Sequence, residues 1–380
     1  MEILVYSQYG GMGGSTRLLL NLARHLGRDH NVCVALRPAR KPQPARILLE
    51  QFSDLRLVPW DTELIRRQHF DVAILHLPFS VADADRVRAS RKIAVFMELV
   101  ARDPIAVREE HCAMFDRILY LHREQVEHLS PATRTAKCTL LPVIDNIDFE
   151  PEYVPAPCIG AIGGAHKMQL PLALALLEGL PQRYGICFWS PDPLDISRLA
   201  PPLMDQAWPL VTAGRLRQQP VTGDIRTLSQ RYQALLHTPA TGNGTSVVVS
   251  DALRCGKLAI LSPLPAYREA YGDVDGVLFT DQPREELVER ICAYSPADFM
   301  RISAAYAARH DRADTLRRWS TALLDGDAPA VRNPATRAGV HAGAATAPTI
   351  LRAATIPGSS KLSMSEGPSR NAPCPCGSGK

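Results

Sequence analysis

The pattern that most constrains this chain is an alternation that occurs twice. Apolar runs at 2–6, 32–36, 71–77, 92–97, 117–121 and 140–144 are short enough for strands, and helix-like stretches separate them. Short apolar strands between helices are buried on both faces, which predicts a parallel sheet. Pro151, Pro155 and Pro157 interrupt the pattern, and a new strand is expected at 158–162. A helix around 168–179, a strand at 185–189, an element at 208–211, a helix at 224–232 and a strand at 233–237 follow. The series ends with a helix at 245–255, strands at 258–261 and 277–279, and helical stretches at 283–294 and 298–324. Two such α/β halves, 1–150 and 158–325, predict paired Rossmann-like domains facing a cleft, with ligands outside the carboxyl ends of the strands.

Length agrees with two domains, because 380 residues exceed one ordinary core. A hydrophobic fraction of 46% with 22% charged residues fits a packed protein. The net charge of +4, from 43 basic and 39 acidic residues, is too small to argue for nucleic acid and is compatible with a weak pull on anionic nucleotides or lipid head groups. The start, Met-Glu-Ile-Leu-Val-Tyr, reads as a strand rather than a signal peptide, and no run of about 18 apolar residues occurs. A cytoplasmic protein is expected, with peripheral contact at the inner membrane face compatible with its charge. Cys33, Cys112, Cys138, Cys158, Cys187, Cys255 and Cys292 stand singly in predicted elements and read as reduced structural thiols. Residues 327–370, rich in Ala, Pro, Thr, Gly and Ser, read as a disordered linker before the terminal stretch 371–380.

Two loops carry the chemistry. Tyr9-Gly10-Gly11-Met12-Gly13-Gly14-Ser15-Thr16 joins the first strand to a helix whose Leu18, Leu19, Leu22 and Leu26 share a face. Glycines let the backbone approach an oxygen-rich group, and a helix N-terminus offers N–H groups to a phosphate; the bland alternative is a tight turn. The loop matches neither the dinucleotide fingerprint nor the lysine-containing P-loop. The second loop, Thr238 to Ser246, opens a helix whose N–H groups at Gly244, Thr245 and Ser246 are placed to hold a diphosphate, with Asp251 two turns further in.

This second stretch resembles the donor-site signature of family 4 retaining GT-B glycosyltransferases. Pro239-Ala240 stands for Pro-Ser, Asn243-Gly244 for Glu-Gly, Asp251-Ala252 for Glu-Ala, and Cys255-Gly256 matches the usual ending. Gly10 to Leu26, Phe70 to His76, Leu140 to Asp145, Glu269 and Asp275 to Phe279 fall in the family's order, so the resemblance covers roughly 1–325. It implies the GT-B fold and transfer of a sugar, with retention, from a nucleotide-sugar donor to a glycan or lipid-linked acceptor. It also implies that Asp251 grips the donor ribose, that Asn243 helps hold the sugar, and that His76 and Glu98 lie at the catalytic, acceptor-facing edge. The leaving diphosphate would be held by Gly13, Gly14, Gly244, Thr245 and Ser246 with Lys167 and His166, and no metal is required for transfer. The chain departs from the family at Asn243, at Asp251, and at Gly160-Ala161, where a Gly-Arg pair is usual.

The tail Cys374-Pro375-Cys376-Gly377-Ser378-Gly379-Lys380 resembles the first half of the SEC-C zinc motif known at the end of the SecA translocation ATPase. Zinc takes four tetrahedral ligands, so Cys374 and Cys376 are half a site, and zinc is expected only if a second pair completes it. Such a tail would dock a protein partner. The rival reading is a non-catalytic GT-B scaffold with that tail as adaptor; for an epimerase of the same fold, this chain lacks the paired acids.

Overall fold

The computed structural model describes residues 1–7, 13–37, 42–60, 63–77, 81–97, 109–164, 168–190, 194, 199–239 and 246–325. Glu98, His166, Lys167, Asn243, Gly244 and Thr245 lie outside the described residues, as do the linker, Cys374 and Cys376. Both sheets below belong to one compact unit of the chain.

The first sheet contains β1 (Glu2–Ser7), β2 (Asn31–Leu36), β3 (Arg56–Pro59), β4 (His69–Leu77), β5 (Arg88–Phe96), β6 (Arg117–Tyr120) and β7 (Cys138–Leu140). Their spatial order is β3-β2-β1-β4-β5-β6-β7, and every pair is parallel. The second sheet contains β8 (Cys158–Ile162), β9 (Gly185–Trp189), β10 (Leu216–Gln219), β11 (Ala234–His237), β12 (Leu258–Leu261) and β13 (Val277–Phe279). It is ordered β10-β9-β8-β11-β12-β13, again all parallel. Each sheet therefore winds outward in both directions from an inner pair, β1 with β4 and β8 with β11. Such reversal points leave a crevice at the carboxyl ends of the strands.

The first half carries helices α1 (Gly14–Leu26), α2 (Pro42–Gln51), α3 (Glu63–Arg67), α4 (Val81–Arg86) and α5 (Pro131–Lys137). The second adds α6 (Leu170–Gly179), α7 (Pro201–Thr212), α8 (Ile225–Ser229), α9 (Val247–Arg254), α10 (Pro265–Tyr271), α11 (Arg284–Ala293), α12 (Pro296–Arg309) and α13 (Arg312–Leu324). The leucine face of α1 forms because Leu18, Leu19, Leu22 and Leu26 recur at helical spacing, and all four are buried against Ile3, Val5, Val34 and Ile74. Gly256 ends α9 with a φ of +67°, and a Cβ there would lie 2.5 Å from the Phe299 carbonyl oxygen. Only glycine fits that turn.

Three expectations need correction. The apolar stretch 140–144 is not a strand: β7 stops at Leu140, and Leu141, Val143 and Ile144 run on outside the sheet, buried in the α1-side core. The element at 208–211 belongs to α7, which starts at Pro201. The helical stretch 298–324 is two helices, broken at His310–Asp311, where the Asp311 carboxylate accepts from the Asp314 N–H at 2.6 Å and caps α13.

That break redirects the chain. Leu316, Trp319, Ala322 and Leu323 of α13 join the core of the first sheet, not the second. Trp319 is fully buried and donates its indole N–H to the Pro142 carbonyl at 2.8 Å. Arg117 donates to the Ala322 carbonyl at 2.6 Å and Arg91 to the Leu324 carbonyl at 2.8 Å, so two cations from the first sheet close the C-terminal end of this helix. The span 158–325 thus leaves its second-half packing at His310.

Candidate functional site

Each loop singled out in the sequence emerges at a reversal point. Gly13 and Gly14 follow β1, and the loop before Ser246 follows β11. Gly13 is the extended N-cap of α1 (φ −113°, ψ 156°) and Ser246 the extended N-cap of α9 (φ −104°, ψ 121°). Neither cap residue gives its helix a side-chain hydrogen bond, and neither first turn contains an acid. In α9 the Val249 N–H turns back to the Ser246 carbonyl at 3.1 Å; the opening N–H groups of a helix lack partners four residues back, which gives a helix start its positive potential.

The two ends meet. Val247, the first residue of α9, is buried in the core cluster of the first half. A Cβ on Gly14 would lie 3.3 Å from the Val247 Cβ, tighter than ordinary contact, which is why this position favours glycine. The carbonyl of Ser246 is fixed from below by the Tyr271 hydroxyl at 3.0 Å, itself 3.0 Å from the Ser250 hydroxyl. Two helix N-termini that follow strands of different sheets thus lie side by side, and a helix N-terminus is suited to a phosphate group.

Asp251 is the fifth residue of α9, little more than one turn from its start. It keeps a little accessible area, yet protein surrounds it closely, as at the floor of a crevice. Burial pushes its pKa up to about 7, against hydrogen bonds from Asn146 that favour the charged form. The Asn146 backbone N–H donates to Oδ1 at 2.7 Å and its side-chain Nδ2 to Oδ2 at 2.8 Å. Asn21 of α1 donates in turn to the Asn146 Oδ1 at 2.5 Å. Arg17 of α1, its own pKa lowered mainly by burial, supplies an attractive charge to Asp251. Next along, burial raises the pKa of Asp145, which accepts from the Ile147 N–H at 3.0 Å and lies 3.8 Å from Arg312.

His76 is the penultimate residue of β4 and is fully buried; alternation along the strand puts it on the same sheet face as Val72 and Ile74, which pack toward α1. Ala161, where the family has arginine, is also buried. Glu269 of α10 reaches across to the first half, where its carboxylate lies 3.3 Å from Arg123 Nε. Arg17, Asn21 and Asn146 were not read from the sequence as site residues. The only signal was their adjacency to the glycine turn and to Asp145, because amide side chains leave no spacing pattern. Among the described residues no group of three or more His, Cys, Asp or Glu side chains is placed to hold a metal ion. No described helix is long and apolar enough to cross a membrane.

No family model matches the chain, and no curated protein matches it. In structure it is similar to HepE of Anabaena in complex with UDP-glucose, with TM-score 0.63 and 15% identity over 85% of this chain and 99% of that one. It is also similar to a glycosyltransferase from Rickettsia africae ESF-5, with TM-score 0.59 and 11% identity over 85% and 99%. A third is WaaG, a glycosyltransferase involved in lipopolysaccharide biosynthesis, with TM-score 0.56 and 14% identity over 86% and 100%. Likeness at such identity speaks for the fold alone, and the fold it shows is GT-B, two parallel-sheet α/β domains in one chain.

Proposed function

We propose that this chain is a nucleotide-sugar-dependent glycosyltransferase acting with retention on a glycan or lipid-linked acceptor. The observation that carries this reading is the meeting of the α1 and α9 N-termini at the reversal points of both sheets. When the bond between the anomeric carbon and the diphosphate breaks, negative charge grows on the departing oxygen. Backbone N–H groups already aimed at that position stabilise it without reorganising. Asp251 binds the donor ribose from below, Ser246 lines the diphosphate, and Gly13 and Gly14 admit it closely. Asn243, Gly244, Thr245, His166 and Lys167 complete the donor side, and His76 and Glu98 belong to the acceptor side. HepE holds UDP-glucose, which supports UDP-sugars as the first donors to test.

Calorimetric titration with UDP-, GDP- and ADP-sugars tests the reading, with at least one expected to bind. Asp251→Ala should weaken that binding by roughly 1–3 kcal/mol, the cost of losing a charge-assisted hydrogen bond. An unchanged dissociation constant in a folded variant would remove Asp251 from the site. A scaffold without catalysis is the second reading, favoured by Ala161 in place of a diphosphate-binding arginine. It requires that none of these donors binds.

A further inference from the structure

Asn146 lies in the segment between β7 and β8 and belongs to neither glycine loop, yet it makes two hydrogen bonds to Asp251. Its orientation is dictated by chemistry. An ionised carboxylate only accepts, so the side-chain Nδ2 of Asn146 must face Asp251 and its Oδ1 must face away. That oxygen then needs a donor, and the Nδ2 of Asn21 provides it at 2.5 Å. The three residues form a one-way relay from α1 through the linker to α9.

We propose that Asn146 is a positioning residue for the donor site: held by Asn21, it grips one lone pair on each oxygen of Asp251 and aims the others at the ribose hydroxyls. A carboxylate has about four lone-pair sites, so two remain for a vicinal diol. The inference rests on the donor reading given above and adds a residue to it. The aspartate side chain is one methylene shorter than the glutamate usual in the resembled family. Asn146 reaches it with both a backbone and a side-chain donor.

A positioning role has a signature that simple structural support lacks. The Asn146 bonds favour the charged carboxylate, as does Arg17, while burial and the neighbouring Asp145 oppose it. Cys255 of the α9 C-cap and the buried rings of Tyr232, Tyr271 and Tyr306 also lie within electrostatic reach. Removing the Asn146 side chain should therefore raise the midpoint at which Asp251 ionises, from about 7 in the unaltered chain. One charge-assisted hydrogen bond corresponds to a shift of about one pH unit.

The experiment follows Asp251 by carbon-13 carboxyl resonances across pH 5 to 9 in the full chain, assigned by the signal that Asp251→Asn removes. UDP titrations run in parallel at each pH. In Asn146→Ala the carboxyl midpoint should move upward, and UDP affinity should fall several-fold at pH 7 while recovering toward pH 9. Asn21→Ala, which leaves Asn146 in place but frees its amide, should move both readouts the same way by less. An unmoved carboxyl midpoint in both folded variants overturns the role of Asn146 and leaves the donor reading standing. A UDP affinity reduced equally at every pH also overturns it. Absence of UDP binding by the unaltered chain at all pH values overturns the donor reading, and the ribose-aiming role with it.

Discussion

The two halves touch in two unlike ways. At the α1–α9 meeting the contacts are more enclosed: Val247 enters the core of the first sheet, Asn21, Asn146 and Asp251 form a part-buried relay, and Trp319 seals the same core from α13. Elsewhere between the halves Arg123 meets Glu269 with side chains 68% and 36% exposed. Burial strengthens each polar contact and makes its loss expensive, whereas an exposed pair is screened by water and salt. The difference teaches which contact between the halves is costly to break and which is cheap: the relay with its surrounding core is the firm one, and the exposed ion pair is the weak one.

The contrast breaks most visibly at Trp319. Trp319→Ala removes a fully buried ring and an indole hydrogen bond, and should cost about 3–5 kcal/mol in urea unfolding. A loss below about 1 kcal/mol would mean that α13 is not part of the first half's core. A smaller effect sharpens the comparison through pH. Folding raises Asp251 from its ordinary value of 3.8 to about 7, so the group takes up a proton on folding. Its contribution to stability is therefore full below the ordinary value and is lost as pH rises through about 7. Between pH 5 and 8 the Tm of the unaltered chain should fall by more than that of Asp251→Asn, which has nothing to titrate there. Parallel curves would show that the relay is solvated. The smallest effect is at the exposed crossing, where Glu269→Ala should cost no more than about 1 kcal/mol and less at high salt.

Most of the sheet architecture was legible because interior strands are apolar on both faces. The runs at 2–6, 32–36, 158–162, 185–189, 233–237 and 258–261 announce themselves in this way. Two outer strands did not. Arg56-Leu57-Val58-Pro59 and Leu216-Arg217-Gln218-Gln219 lie at sheet edges, where charge and proline guard an open ladder and erase the apolar signal. The glycine loops were legible as openings for a helix, and helices do start at Gly14 and Val247. The fate of Asp251 was not legible. Its partner Asn146 stands 105 residues away, and a pairing of that kind is set by how the halves dock. The crossing of α13 was hidden for the same reason, because an apolar helix face reads identically whichever sheet receives it.

The return of α13 has a mechanical consequence. The polypeptide passes between the halves once after β7 and again between α12 and α13. A single covalent tether would leave one body free to tumble about a point. Two crossings restrain relative motion more than one, as two pins hold a plate more firmly than one. The two crossings run side by side, with Arg312 Nε 3.8 Å from Asp145 Oδ1. A fragment cut between the halves would lose one pin and leave the leucine face around Trp319 uncovered, so neither half is expected to behave as an independent module.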